Sequence, residues 1–584
     1  MNTPTGGRPD RPRVLLALAV FIGVSVAACA ASAARPVTDA PWYGIVPPLL
    51  AVVAALLTGR MLASLLAAVF VGGWLSAWSA TASPLATAGG GVCRAARFLW
   101  LSVMSPEFSL LAPGSYRVTD SQLILLYVVL IMATITVVLT GGGLQGVANW
   151  LSRFARGRRS AQVATFLAGL LIFIDDYANT MVVGTTMRPV TDRQRISREK
   201  LAFLVDATSA PIAGIALIST WIGYEVGLLG EIAGTLQIGR SGYAMFLDAL
   251  GFRFYCITMI GFVVFNAVSG LDFGPMAAAE RRASRQGKLS GDGWRLSPRQ
   301  ASSAEPFPGA RIHAATALTP MLVMLGVFIG SMWFAGGGGR FLTTDPIAPL
   351  RFSAWREVFG TAKSIPLLAW ASGSGLVVAC LLSLLLARIS APAILRSLWV
   401  GLKVASLPAS VLILAWSLKG ACDALRTGEF LAAQLEGAIP PWLFPILVFT
   451  VASATSFSTG TSWGTMAILI PTAIPVAFAL DSHVYGPVTI VTIAAILDGA
   501  IFGDHCSPIS DTTIMSSAAS ACDHLAHVRT QLPYSLAVAG LALAGGYLPA
   551  GLGFGKWVGI LGGASCSAAI FAAVWWRERS LRRM

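Results

Sequence analysis

Residues 497–517 read LDGAIFGDHCSPISDTTIMSS. In a very apolar chain, this run gathers three carboxylates (Asp498, Asp504, Asp511), an imidazole (His505), a thiol (Cys506), a proline (Pro508) and a row of hydroxyls. Ionisable groups are costly in a bilayer, and those that occur there face a cavity, an ion path or one another. A helix opened at that depth is tolerated where its freed backbone is buried in protein or lines water. The stretch therefore predicts a broken membrane helix over 487–520, with chemistry at the break.

The surrounding sequence supplies the membrane. Of 584 residues, 55% are hydrophobic and 12% charged, about half the charged share of a soluble domain. Apolar runs of ~20 residues, enough to cross a ~30 Å hydrocarbon core, recur along the chain. The formal net charge is +14, but the basic residues cluster between apolar runs, as cytoplasmic loops do. That pattern excludes a nucleic-acid surface. The eight cysteines are scattered and form no CxxC pair, so neither a disulfide framework nor a zinc ribbon is suggested.

Outward from the break, the order of elements is readable. Residues 1–41 hold Arg8, Arg11 and Arg13 and an apolar run at 14–34. That run reads as a retained first span with a cytoplasmic N-terminus, although its small-residue end also fits a cleaved leader. Spans follow at 42–58, 61–80 and 122–142, with an external amphipathic segment at 81–121. Basic clusters (Arg153, Arg156, Arg158, Arg159 and Arg188, Arg193, Arg195, Arg198, Lys200) flank an apolar run at 162–187. Both flanks read as cytoplasmic, and one crossing cannot start and end on one side. A re-entrant hairpin with its tip at 175–180 resolves this. The span at 201–226 is interrupted at 206–211, where Pro211 removes an amide donor. A span at 252–270 follows, and the polar, basic loop 271–313 is expected to be cytoplasmic and partly disordered. Spans at 314–334, 365–387 and 400–418 lead to a second hairpin over 441–480, whose tip at 453–465 is rich in Ser and Thr. The broken helix 487–520, spans at 533–550 and 556–576, and a basic tail that places the C-terminus inside complete the chain.

The two halves match. Asn179-Thr180-Met181 corresponds to Gly464-Thr465-Met466, and Ala210-Pro211-Ile212 to Ser507-Pro508-Ile509, with Asp206 and Asp498 preceding the breaks. The expected fold is an all-α polytopic membrane protein with about 12 transmembrane helices plus two re-entrant hairpins. It forms two inverted-topology repeats with broken helices, 42–270 and 314–550, joined by 271–313 and followed by a last span and basic tail at 551–584. Such repeats are the architecture of secondary transporters.

Three segments carry a family resemblance: FIDDYANTMVVGTTMRPVTDRQRISREKLAFLVDATSAP (173–211), STGTSWGTMAILIPTAIP (458–475) and LDGAIFGDHCSPISDTTIMSSAASACDHLAHVRTQLPY (497–534). Together they resemble the NhaC family of sodium/proton antiporters. The resemblance spans most of the chain from about residue 42 onward and is weakest in loops 271–313 and 335–364. It implies cation/proton exchange, or sodium- and proton-linked movement of small organic solutes such as malate and lactate. It also implies a fold in which hairpins and broken helices move together as an elevator.

Sodium is a hard cation and takes oxygen ligands. The tips and breaks offer Asn179, Thr180, Thr208, Ser209, Thr459, Thr461, Ser462, Thr465, Ser507 and Thr512 for ion or substrate binding. Coupling needs a group that holds either a proton or the cation. A carboxylate in low dielectric does this, and adjacent carboxylates resist ionising together. Asp175, Asp176 and Asp504 are the favoured proton/cation coupling residues, followed by Asp206 and Asp511. His505 reads as a hydrogen-bonded structural histidine, with a proton relay as its functional alternative. Cys506 reads as a small buried residue, and His524 and His527 as part of a solvated loop near the cytoplasmic face, with pH sensing as their functional alternative.

The expected function is Na+/H+ antiport across the cytoplasmic (inner) membrane of a prokaryote. Na+ and H+ are the transported ions, no cofactor is needed, and lipid surrounds a monomer or homodimer. The alternative is a Na+- or H+-coupled transporter of a small organic carboxylate or amino acid. Two acids and no arginine at the first tip favour a cation. A membrane metalloenzyme using Asp504, His505, Cys506, Cys522, His524 and His527 is disfavoured, because the spacing fits no common zinc site.

Overall fold

A backbone in hydrocarbon satisfies its N–H and C=O groups only within itself, so apolar runs of spanning length become helices. The computed structural model describes residues 41–58, 60–77, 84–104, 118–291, 306–345, 347–351, 354–355, 358, 362–435 and 439–581. The span expected at 14–34 lies outside them. Among the described residues the regular structure is helical, without strands. Ten helices there are long and apolar enough to cross a membrane, and two shorter apolar helices lie at the start.

Those two are α1 (Val46–Thr58) and α2 (Met61–Ala77), followed by α3 (Pro84–Leu101) and α4 (Asp120–Thr140). α3 occupies the segment expected to be an external amphipathic stretch. It packs so closely on α2 that a Cβ on Gly73 would stand 2.6 Å from Gly91 O. Thr119 and Gln122 start α4 with a reciprocal capping box. The triple glycine after α4 turns the chain through Gly142, at φ +69°, into α5 (Gly143–Ser152).

The first hairpin is α6 (Arg158–Leu171) and α7 (Asp176–Arg193). The first broken helix is α8 (Arg198–Ala207), a single turn at Ala210–Ala213, and α9 (Thr220–Thr235). Then come α10 (Gly242–Leu250), α11 (Phe254–Ser269) and α12 (Gly274–Gln286). α12 occupies the first third of the segment 271–313 that was expected to be partly disordered, of which 292–305 lie outside the described residues. Two of its charges, Glu280 and Arg282, are tethers, while Arg281 and Arg285 are exposed. Buried Glu280 accepts Ser197 N at 2.7 Å and pairs with Arg158, and Arg282 pairs with Glu199 at 2.8 Å. Beside them, fully buried Lys200 bridges to Asp272 and Asn266.

The second half runs through α13 (Ala315–Ala335), α14 (Ser364–Leu385), α15 (Ala391–Ala424) and α16 (Thr427–Leu435). α15 has 34 residues, where a span over 400–418 was expected. Basic stems lie along apolar surface while their charged heads stay in water; Arg396 and Lys403 are exposed, with Lys403 Nζ 5.3 Å from the Trp399 ring centre, and the helix runs on through both. Lys419 pairs with Asp423 at 2.9 Å and Glu231 at 3.4 Å. The second hairpin is α17 (Phe444–Thr459) and α18 (Ser462–Leu480), and the second broken helix is α19 (Pro487–Cys506) and α20 (Asp511–Ala519). α21 (His524–Leu541) and α22 (Lys556–Leu581) close the described chain.

Packing pairs these pieces the same way in both halves. α6 lies along α8 and α17 along α19, while α7 packs on α20 and α18 on α9. Each hairpin thus holds one half of its own broken helix and one half of the other. Small residues make this possible: a Cβ on Gly503 would meet Ser453 O at 2.3 Å, and one on Gly184 would meet Ala519 Cβ at 2.6 Å.

Candidate functional site

The first hairpin turns at residues 172–175. Asp175 caps α7 by accepting Ala178 N at 2.8 Å, and it also accepts the Thr220 hydroxyl at 3.2 Å. Thr220 N donates to Ile174 O at 2.9 Å, so the tip is fastened to the first turn of α9. Asn179 acts as a clamp. Its amide nitrogen lies 2.8 Å from Gly169 O, 3.0 Å from Ile172 O and 2.9 Å from Thr208 O, closing the hairpin on the break of α8. Thr180, Thr208 and Ser209 donate to the carbonyls of Tyr177, Leu204 and Asp206 at 2.8, 2.7 and 2.7 Å. Their oxygens keep lone pairs to offer.

The second hairpin turns at Gly460, whose φ of +67° suits glycine. A Cβ there would meet Ile509 O at 2.7 Å, so the turn rests on the break between α19 and α20. Thr461 caps α18, and Thr465 and Thr459 donate to Thr461 O and Thr455 O at 3.0 and 2.8 Å. Ser462 donates to Asp504 Oδ2 at 2.9 Å and Ser507 to Phe457 O at 2.6 Å, while the Thr512 and Ser510 hydroxyls lie 2.9 Å apart. Trp463 O accepts the Tyr224 hydroxyl, and its ring stands 4.4 Å from Tyr224 and 5.9 Å from Trp221, centre to centre. Thus α9 touches both tips, through Thr220 and through Tyr224.

Where the tips and breaks meet, Asp176 is 1% exposed and Asp504 3%. On each, Oδ1 has no hydrogen-bond partner. Asp176 lies within electrostatic range of Asp175, Asp504 and Asp511, and Asp504 within range of Asp511 and Asp206. A buried ionised carboxylate is strongly disfavoured without a compensating partner. Asp511 is the exposed member; the Tyr177 hydroxyl donates to one of its oxygens and Thr512 N to the other at 2.9 Å. Asp206 is buried and fully held, by Gln531 at 2.6 Å, Ser516 at 3.1 Å and Thr513 at 3.3 Å. Among the described residues no three of His, Cys, Asp and Glu are grouped to hold a metal ion. A cation here would draw on hydroxyls and carbonyls beside one or two carboxylates.

Asp498, which precedes the second break, is held elsewhere. It accepts Arg253 Nε at 2.8 Å, Tyr255 N at 2.6 Å and the Tyr547 hydroxyl at 2.8 Å. Arg253 also lies 3.5 Å from Glu225. His505 Nδ1 is 2.8 Å from the Tyr255 hydroxyl, and its partnerless Nε2 is 4.0 Å from Asp206 Oδ2. Cys506 is buried, with Sγ 3.1 Å from Phe502 O. The solvated-loop reading of His524 and His527 is overturned: both lie on α21, and His527 is fully buried. Sequence reasoning also missed Tyr177, Thr220, Tyr224, Arg253 and Gln531. The available signal was a polar side chain in an apolar helix, which carries no partner assignment.

Residues 212–551 match the Na+/H+ antiporter family. An uncharacterized protein of Haemophilus influenzae is 30% identical over 536 residues, 91% of this chain and 95% of that protein. The malate-2H+/Na+-lactate antiporter of Bacillus subtilis is 41% identical over 98 residues, 17% of this chain and 20% of that one. An uncharacterized Na+/H+ antiporter of Haemophilus influenzae is 38% identical over 103 residues, 17% and 21% of the two chains. The solved structure of the Alcanivorax borkumensis YdaH transporter aligns with a TM-score of 0.47 at 16% identity, over 73% of this chain and 84% of that one. The chain belongs to the Na+/H+ antiporter family and is a multi-pass membrane protein.

Proposed function

We propose that this antiporter-family chain exchanges Na+ for H+ across the cytoplasmic membrane of a prokaryote, with Asp176 and Asp504 as the groups at which the two ions compete. The observation that carries this reading is a pair of buried carboxylates, each with an unpartnered oxygen, where two hairpin tips meet two broken helices. A protonated carboxyl needs no counter-charge, whereas an ionised one in this setting does. A proton and a sodium ion therefore occupy the same carboxylates in turn, and alternation between the two faces of the membrane makes their movement an exchange. Hydroxyl oxygens of Ser462, Thr461, Thr465, Ser507 and Thr512, with carbonyls freed at the breaks, supply further hard ligands. Asp175 shapes the first tip, while Asp206 and Asp511 set the local field.

The two hairpins and broken helices belong, in this reading, to inverted repeats at 42–270 and 314–550, with both termini cytoplasmic. The matched packing of α7 on α20 and α18 on α9 supports it. The test is ion exchange in everted vesicles with Na+, Li+ and K+, repeated with Asp176→Asn and Asp504→Asn. Full exchange in both variants would remove this site assignment.

A second reading has its own support in the malate-2H+/Na+-lactate antiporter relative. In that case the same carboxylates couple ions to a small organic acid held by tip hydroxyls. Strict dependence of proton movement on an added organic acid would select it over simple cation exchange.

A further inference from the structure

His524 and His527 face Ser517, near the end of α20, from the first turn of α21. His524 Nε2 lies 2.7 Å from Pro508 O. A carbonyl only accepts, so this nitrogen carries a hydrogen. The Gln531 amide is oriented by its nitrogen, which donates to Asp206 Oδ2 at 2.6 Å and to the His505 carbonyl. Its oxygen therefore faces His527 Nε2, 2.7 Å away, and that nitrogen carries a hydrogen too. Both imidazoles then present Nδ1 to one hydroxyl. Ser517 Oγ is 3.1 Å from His524 Nδ1, 2.8 Å from His527 Nδ1 and 2.7 Å from Thr513 O. A serine hydroxyl has one hydrogen. With both imidazoles neutral, at least one Nδ1 meets the Ser517 oxygen with no hydrogen between them. With the Ser517 hydrogen on Thr513 O, both Nδ1 contacts lack one, so the neutral network is short of hydrogens.

We propose that His524, Ser517 and His527 form a single-proton binding site, hydrogen-bonded through Gln531 to Asp206, that sets the pH response of the coupling region. The second half of this proposal rests on the exchange reading above. A solvent proton adds to Nδ1 of His524, which is half-buried, whereas His527 is fully buried. The new N–H donates to Ser517 Oγ, and Ser517 turns its own hydrogen to His527 Nδ1. One proton gives both imidazole contacts a hydrogen, at the cost of the Ser517 bond to Thr513 O, and no covalent bond other than N–H changes. A second proton would set two cations against one hydroxyl.

The surroundings decide where that charge is felt. His527 Nε2 is 3.9 Å from Asp206 Oδ2, on α8. His505 and Cys506 face the same region from α19, with Tyr255 of α11 on His505. Asp523 caps α21. Around Cys522 lie Arg198 and Glu199 of α8 and Arg282 of α12. Arg198 pairs with Asp192 and Arg282 with Glu199. Asp206 is the carboxylate joined to the histidine pair by a hydrogen-bonded chain, through Gln531.

The chain has five histidines, so imidazole 15N signals from histidine-labelled protein in lipid nanodiscs can be assigned with His524→Gln and His527→Gln. As the pH is lowered, one proton should enter the pair, with the change at His524 mirrored at His527. Ser517→Ala removes the acceptor of the new N–H. It should lower the midpoint, because a hydrogen bond to the charged form is lost, and uncouple the two signals. In vesicles, the same variant should keep the maximal exchange rate and move the pH profile toward acid. Two histidine signals that change independently as the pH is lowered would overturn the site. An unmoved pH profile alongside a moved titration would overturn its link to exchange. The titration needs no transport, so a titrating pair in a wild-type protein without Na+/H+ exchange would support the site and count against the proposed function.

Discussion

Ser462 donates its hydroxyl to Asp504 Oδ2 at 2.9 Å, joining residues 42 apart in sequence. This bond binds the second hairpin tip to the last turn of α19 and leaves Asp504 Oδ1 as the free oxygen. A hydrogen bond to an ionised group contributes about 1.5–3 kcal/mol, and ~1.4 kcal/mol is tenfold in affinity. Ser462→Ala should therefore raise the Na+ concentration for half-maximal exchange about tenfold, with the maximal rate largely kept. Exchange rate against Na+ concentration in vesicles measures it. An unchanged Na+ dependence would show that the bond plays no part in ion binding.

Asn179 should behave as a structural residue. Replacing it with Ala removes the donor from the carbonyls of Gly169, Ile172 and Thr208, all at the closure of the first hairpin. Each buried polar group left unsatisfied costs about 1–3 kcal/mol. The variant should melt well below the wild type in detergent. Asn179→Asp should not rescue it, because an ionised carboxylate only accepts. A wild-type melting temperature for Asn179→Ala would contradict the clamp.

Asp498 sits in the same stretch as Asp504 and should respond differently. Removing one partner of a buried ion pair costs about 3–5 kcal/mol, and Arg253 would keep only Glu225, at 3.5 Å. Asp498→Ala should lower the folded yield sharply. The surviving protein should exchange ions with an unchanged Na+ dependence. A well-folded Asp498→Ala protein with altered Na+ affinity would place this carboxylate in the ion site.

The breaks were legible because their chemistry is local. Asp175-Asp176 at a tip, Asp206 to Pro211, the glycine and hydroxyl run around Gly460, and Pro508 each interrupt an apolar run by residue type alone. Their partners were not legible, because hydrogen bonds there join residues far apart in sequence: Tyr177 with Asp511, Asp206 with Gln531, and Arg253 with Asp498. Composition also misled where charges found distant partners. Residues 274–286 read as part of a polar, basic loop until Glu280 and Arg282 are seen gripping the start of α8 through Ser197 and Glu199. His527 read as a loop histidine because Ser517, which holds its Nδ1, lies on another helix, although Gln531 is one turn along on α21 itself.

Proton release on sodium binding tests the central claim most directly. Purified protein in weakly buffered detergent, at a pH where exchange runs, receives Na+ while an indicator reports free protons. Competition at Asp176 and Asp504 predicts net proton release from the wild type, less from Asp176→Asn and Asp504→Asn, and none from the double variant. Sodium binding without proton release in the wild type, or release undiminished in the double variant, would contradict it.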